Sequence, residues 1–183
     1  MRKNLLKQVV TKSSKELTLR CSKPSDAKEL IEYLNIIGGE SDNMTFGKDE
    51  FRLSVDQEET YLKALDEDNT SIMIVVTESN KIIAQGSIVS DKRKRFCHNS
   101  VLGISVRKEF WSDGIGSIIM DELINFAKQC EVTKIVTLSI NTENKNAIKL
   151  YKKFGFDEVG IHKNKFFIDG KFYDEIIMDL HLI

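Results

Sequence analysis

The chain has 183 residues, enough to bury one continuous core, and is expected to form one domain over 1–183 with residues 1–15 as an N-terminal extension, a hairpin arm. Its 27 basic and 28 acidic residues nearly cancel, which argues against a global electrostatic pull toward nucleic acid or an anionic membrane surface. Cys21, Cys97 and Cys130 lack CxxC spacing and the N-terminus holds only short apolar pairs, which points away from a disulfide framework, a zinc site, a signal peptide or a membrane span and toward a cytoplasmic protein.

Lys7 to Thr11 and Glu16 to Arg20 flank Lys-Ser-Ser-Lys and predict an opening hairpin, with the second arm the first strand of the main sheet. Past Pro24, the spacing of Ala27, Leu30, Ile31, Leu34 and Ile37 predicts an amphipathic helix, capped by Ser25 or Asp26 and stopped by Gly38-Gly39. Glu40 to Leu53 is polar, has no period and reads as a loop. Ser54-Val-Asp-Gln57 is a capping-box pattern that opens a second helix through Tyr61, Leu62 and Leu65 to Asp66-Glu-Asp68. Ser71 to Thr77 and Lys81 to Val89 read as a β-hairpin in which Gly86 marks a bulge or a close approach. Asp91-Lys-Arg-Lys-Arg95 has no interleaved aromatic and reads as a solvated turn between strands rather than a nucleic-acid contact.

Asn99 to Val106 is a β-rich apolar run, and Ile115, Ile119, Leu123, Phe126, Ala127 and Cys130 recur at helical spacing. A strand therefore enters a helix through the glycine turn Trp111-Ser-Asp-Gly-Ile-Gly116. Gly114 and Gly116 let the backbone approach a ligand, and the first N–H groups of the helix face an anion, so the stretch from Trp111 to Ser117 reads as a phosphate cradle. Neither nucleotide motif is present: Ile119 stands where a dinucleotide fingerprint needs its third glycine, and Gly116 is followed by Ser117-Ile118 where a P-loop needs Lys-Ser/Thr. Taken alone, the turn also reads as no more than a tight helix start. Val132 to Ile140 is a β-branched partner strand. Asn141-Thr-Glu-Asn144 caps a helix carrying Ala147, Ile148, Tyr151 and Phe154, which Gly155 stops. Val159 to Ile168, Asp169-Gly170 and Lys171 to Leu182 form a closing hairpin. The class is α/β with α+β character: a central mixed sheet with helices on both faces.

Two stretches carry a family resemblance. Val106 followed by Trp111-Ser-Asp-Gly-Ile-Gly116 resembles the acetyl-CoA-binding motif Arg/Gln-x-x-Gly-x-Gly/Ala of the GNAT (GCN5-related) N-acetyltransferases. Asn144-Lys-Asn-Ala-Ile-Lys-Leu-Tyr151-Lys-Lys-Phe-Gly-Phe156 resembles that family's second signature, Asn-x-x-Ala-x-x-Leu-Tyr ending in Gly-Phe. Phe167 to Met178 is similar to the last hairpin of the small-amine and amino-acid branch. The likeness runs from Leu17 to Leu180 and departs at Trp111, where the family has Arg or Gln. It implies a GNAT-like fold with a splayed strand pair, acetyl-CoA as cosubstrate, no metal, and direct transfer in a ternary complex to the primary amine of an amino acid, polyamine or similar small molecule. It further implies that Ser105 and Val106 pair by backbone with the pantetheine arm and that the Val106 amide faces the carbonyl oxygen. Trp111, Ser112, Asp113, Gly114, Ile115, Gly116 and Ser117 would hold the diphosphate, Asn144 and Ala147 would touch the cofactor, and Tyr151 would protonate the departing sulfur.

A phenol is protonated at neutral pH and suits that last role, yet Tyr151 also lies on an apolar helix face where a tyrosine packs. Asp174 shares one strand face with Phe172, Ile176, Met178 and Leu180, so burial is expected to raise its pKa and make it the base; a structural ion pair is the alternative. Glu40, in a loop that the resemblance implies closes over the acceptor, and His98, in even spacing with Leu102, Ile104 and Val106, are the acceptor-binding candidates; each also reads as a surface residue. No cysteine occupies either signature, so no acetyl-enzyme is suggested. Acetylation of a protein N-terminus or lysine, and a CoA-binding module without turnover, stay open. The expected partners are a small-molecule amine, with no nucleic acid and no membrane, and a second copy by analogy, as a homodimer.

Overall fold

The computed structural model describes residues 5–182; residues 1–4 of the expected extension, and 183, lie outside the described residues. The opening hairpin is β1 (Leu6–Val10) and β2 (Glu16–Cys21). A 3-10 turn, Pro24–Asp26, leads into α1 (Ala27–Gly38), and α2 (Val55–Glu67) follows the predicted loop. Then come β3 (Ile72–Glu78), β4 (Lys81–Ser90) and β5 (Asn99–Val106), a 3-10 turn at Lys108–Phe110, and α3 (Ile115–Gln129). β6 (Ile135–Asn141), α4 (Lys145–Lys153), β7 (Asp157–Ile168) and β8 (Lys171–His181) complete the chain.

The strands form one eight-stranded sheet in the order β1-β2-β3-β4-β5-β6-β8-β7. Neighbours are antiparallel except β5 and β6, which run parallel because α3 crosses one face of the sheet between them. β3 is buried on both faces and so reads as an unbroken apolar run. Ile72, Ile74 and Val76 face the core under α3 and α4, while Met73 and Val75 face the core under α1 and α2. Each such side chain fully withdrawn from water contributes about 1.5–3 kcal/mol. Among the described residues no helix is long and apolar enough to cross a membrane.

Gly86 proves to be a close approach. It sits in regular register with Ile74 and Ile104, and the register shift lies between Val76 and Thr77. A Cβ on Gly86 would stand 2.4 Å from Ile119 Cγ2 and 3.1 Å from Leu123 Cδ1, so this glycine lets α3 settle onto β4.

Three local expectations shift. Asp26 opens α1 without capping it, because its carboxylate accepts from both Arg20 guanidinium nitrogens (2.6 and 2.8 Å) and from the Lys23 N–H (2.8 Å). The buried stripe of α1 includes Tyr33, 2 % exposed, while Ile31 is only half-buried. β6 begins at Ile135 and not at Val132, since the N–H groups of Lys134 and Ile135 both donate to the His98 carbonyl (2.8 and 3.1 Å) and Val132 points to solvent. The capping box at Ser54 forms as predicted, with Ser54 Oγ accepting from Gln57 N–H and Gln57 Oε1 from Ser54 N–H.

Candidate active site

The site grows out of a gap in the sheet. β5 and β6 pair through Asn99 with Ile135, Ser100 with Val136 and Val101 with Thr137, and then part. Beyond that point β6 continues against β8 as far as Asn141, and β5 against β4 as far as Val106. The Arg107 N–H donates to the Ile83 carbonyl at 2.9 Å. In an antiparallel ladder that fixes the alternation: Ser105 turns its backbone groups toward β4, and Ile104 and Val106 turn theirs into the gap. The indole Nε1 of Trp111 donates to the Val106 carbonyl at 2.7 Å. The Val106 N–H faces the same opening.

At the end of β5 the chain folds into the cradle. Gly114 takes φ +91° as the residue that opens α3, a left-handed conformation that glycine adopts without a Cβ clash, and Ser112 stands at φ +66° without that freedom. Among the described residues no side chain caps α3, and no acid lies in its first turn. The Gly114 carbonyl accepts from Ser117 and Ile118 N–H (3.0 and 3.1 Å), so the N–H groups of Gly114, Ile115 and Gly116 precede the first helical bond. Asp113 is the only acid between Trp111 and Ser117. Its carboxylate is drawn aside by Ser13, whose Oγ and N–H donate to it at 2.6 and 2.7 Å, and its carbonyl accepts from the Lys12 N–H at 3.1 Å. The Ser13 hydroxyl, followed by Thr11, holds the Asp113 carboxyl below the usual range. The tip of the β1–β2 hairpin is thereby clasped to the cradle.

α4 borders the cradle from the other side. Asn144 Oδ1 caps it by accepting from the Ala147 N–H at 3.2 Å, Gly155 ends it at φ +87°, and a Cβ on Gly116 would lie 3.2 Å from Leu150 Cδ2. Tyr151, 8 % exposed, belongs to the same core cluster that Val106 packs against, with its ring 5.9 Å from that of Phe156. Burial pushes its phenol up to about 12.

The remaining candidates are placed differently from expectation. Glu40 already has both carboxylate oxygens engaged: Oε1 accepts from Arg107 Nε at 2.8 Å and Oε2 from the Lys108 N–H at 2.6 Å. It ties the start of the loop to the end of β5. Asp174 accepts from Lys163 Nζ at 2.7 Å and from the Asn164 N–H at 2.9 Å. The Lys163 bond holds its pKa below the usual value, so the expected rise by burial is corrected. Its carbonyl accepts from the Thr142 N–H at 3.0 Å, which sets it next to the end of β6 where the gap is open. His98 is exposed and precedes β5, about 26 Å of extended chain from Val106, so it stands at the opposite end of that strand and not with the cradle.

Tyr33 and Arg107 are residues that the sequence reading missed. Tyr33 on α1 shares a 2.9 Å hydrogen bond with Ser105 Oγ, and burial raises its pKa. The available signal was a tyrosine three residues past Leu30 on an apolar stripe, where a buried hydroxyl needs a partner.

The profile of the Acetyltransferase (GNAT) family matches residues 40–156. The L-amino acid N-acetyltransferase AaaT of Escherichia coli (strain K12) is 27% identical over 105 residues, which is 57% of this chain and 65% of the relative, just under two thirds of its length. Among solved structures, the acetyltransferase of GNAT family from Streptococcus pneumoniae is similar with a TM-score of 0.87 and 30% identity, over 91% of this chain and 99% of that one. The phosphinothricin acetyltransferase from Sinorhizobium meliloti, solved in complex with AcCoA, shares the fold with a TM-score of 0.78 at 17% identity, over 90% of this chain and 88% of that one.

Proposed function

Starting from a chain that belongs to the acetyltransferase (GNAT) family, we propose that this protein transfers the acetyl group of acetyl-CoA to the primary amine of a small molecule, with an amino acid as the first acceptor to test. The observation that carries the proposal is the β5–β6 gap opening onto the uncapped start of α3. The gap offers strand-like backbone pairing to an amide-bearing arm, and the cradle offers N–H groups to a diphosphate, so the residues present fit the cosubstrate. Acetyl-CoA, when bound, supplies an acyl thioester.

The chain's own groups then have distinct tasks. The N–H groups of Gly114, Ile115 and Gly116 receive the diphosphate, with the positive end of the α3 dipole behind them. Ile104 and Val106 present the strand edge to the pantetheine arm, whereas Ser105, expected to share in that pairing, turns its backbone groups to β4 and gives its hydroxyl to Tyr33. The Val106 N–H donates to the carbonyl oxygen as negative charge develops there. Tyr151 holds a proton at its hydroxyl for the departing sulfur, and its burial keeps that proton in place well above neutral pH. Asp174, bonded to Lys163 and held below its usual pKa, is a poor proton acceptor, so the amine reacts in its neutral form; the N–C bond forms as the C–S bond breaks, and the proton shed by the nitrogen replaces the one that Tyr151 gives to the sulfur.

Two observations support a small acceptor. The loop from Glu40 is tied down at Arg107 and Lys108, and Asn35 bonds both backbone groups of Phe51 (3.2 and 3.3 Å), so it is anchored to α1 and to the end of β5, which supports its reading as a closed cover over a small acceptor. The amino-acid specificity of the Escherichia coli relative agrees with this reading. The homodimer belongs to the same proposal: Val159, Ile161, Phe167 and Phe172 are exposed on the β7–β8 hairpin, and sedimentation velocity tests it. The experiment for the activity is thiol release from acetyl-CoA across a panel of amino acids, polyamines and peptides, with mass spectrometry of the products. Release with amino acids and none with peptides is expected. Release with peptides alone rejects the small-amine reading, and no release with any amine while acetyl-CoA binds leaves a binding module.

A further inference from the structure

Lys12, at the tip of the β1–β2 hairpin, lies over the cradle from outside the segment that builds it. Its Cγ and Cε would each be 3.6 Å, and its Cδ 3.9 Å, from a Cβ built on Gly114, so the side chain drapes across the glycine whose N–H opens the cradle. The ammonium is one C–N bond of about 1.5 Å further on. The tip is held there by the Lys12 N–H on the Asp113 carbonyl and by Ser13 on the Asp113 carboxylate. That clasp does two things together. It moves the one carboxylate of the turn onto Ser13, and it brings a cation to the turn's outer surface.

Two neighbouring cations have other partners. Arg107 pairs with Glu40 and Glu109, and Lys15 pairs with Glu78 while its ammonium sits 4.4 Å from the centre of the Phe110 ring. Lys12 has no carboxylate within ion-pair distance among the described residues. Within the turn itself, Trp111 has no charge and its Nε1 is engaged by Val106. The turn itself thus brings no cation to a dianionic diphosphate, while a charged side chain stands beside it unmatched.

We propose that Lys12 is a binding residue of the cosubstrate site, contributed by the N-terminal hairpin, and that its ammonium meets the diphosphate of a coenzyme A thioester at Gly114. The assignment rests on the acetyl-CoA reading above and adds a residue to it. It makes the hairpin part of the active-site architecture, and the Asp113–Ser13 clasp the device that positions the cation.

The test is a titration of the full chain with acetyl-CoA and with dephospho-CoA, which lacks the 3′-phosphate, followed by calorimetry at low and high salt. Lys12→Gln is expected to weaken both ligands by about tenfold and to flatten the salt dependence, as loss of one exposed charge-assisted contact does. Lys12→Arg is expected to restore both, and Lys108→Gln, which removes an equal charge from the neighbouring 3-10 turn, to leave both near wild type. Equal weakening by Lys108→Gln, or no weakening by Lys12→Gln, overturns the proposal. Weakening of acetyl-CoA but not of dephospho-CoA moves Lys12 to the 3′-phosphate and overturns the diphosphate assignment. Absence of binding by the wild-type chain instead rejects the acetyl-CoA reading itself, so the two failures are told apart.

Discussion

Ser112 holds a left-handed backbone, φ +66°, in the middle of the cradle, at a cost of about 1 kcal/mol relative to glycine. Ser112→Gly is therefore expected to raise unfolding stability by about 1 kcal/mol, read from urea denaturation; a loss would show that the serine hydroxyl holds the turn. Tyr151→Phe keeps the buried ring and removes the hydroxyl, so turnover is expected to fall by about a hundredfold with acetyl-CoA affinity nearly unchanged. Because burial moves the phenol up to about 12, the wild-type rate should show no alkaline limb below pH ~10 that Tyr151→Phe abolishes. Asp174→Asn carries the opposite expectation. A carboxylate held below its usual pKa by Lys163 loses its proton more readily than an ordinary one, so the acidic limb should come from the acceptor ammonium and survive the substitution. Removal of that limb would restore Asp174 as the base. The expected rise of the Asp174 pKa failed for a physical reason: alternation along β8 says nothing of Lys163 across the hairpin, and the ion pair offered as the alternative is what forms. Trp111 was legible only as a missing cation, since its bond to the Val106 carbonyl needs the 3-10 turn at Lys108–Phe110 to bring the indole back.

Elements were legible wherever a local rule determines them. The Ser54 capping box, the Asn144 cap and the Asp169-Gly170 turn, with φ +48° and +78°, all follow from side chains within a few residues of the backbone groups they satisfy. Boundaries set from a distance were not: the start of β6 depends on the His98 carbonyl, and the opening of α1 on Arg20. Gly86 lies between these cases, because a glycine in a strand announces a special contact but not its partner. With Ile119 Cγ2 only 2.4 Å from the missing Cβ, Gly86→Ala must push α3 off β4, and overpacking outweighs the small gain in strand propensity. A loss of about 1–3 kcal/mol in unfolding free energy is expected, together with weaker acetyl-CoA binding, because the cradle rides on the first turn of α3. Unchanged binding at reduced stability would separate the helix position from the cradle.

The order of helices and strands was legible along the whole chain, since hydrophobic period and punctuation agree there. The parting of β5 from β6 came only from the family resemblance; no local pattern in Asn99 to Val106 separates the three paired residues from those that follow. The clasp between Ser13 and Asp113 spans 100 positions and leaves no trace in either segment. A ligand that bridges both sides of the gap binds the folded chain alone, so acetyl-CoA at a hundredfold excess over its Kd should add about 2.7 kcal/mol. For a chain of this size that corresponds to a rise in melting temperature of about 5–10 °C. No shift at saturation would mean that the gap is not where the ligand lies. The three-pair junction between β5 and β6 also has a mechanical meaning. It is a seam joining a five-strand panel, β1 to β5, to a three-strand panel, β6 to β8, and load applied between Leu6 in the first and His181 in the second must pass across that seam or through the α3 crossover. A chain with its cosubstrate in place is splinted along this line, so under an optical trap the liganded protein should rupture at higher force than the empty one.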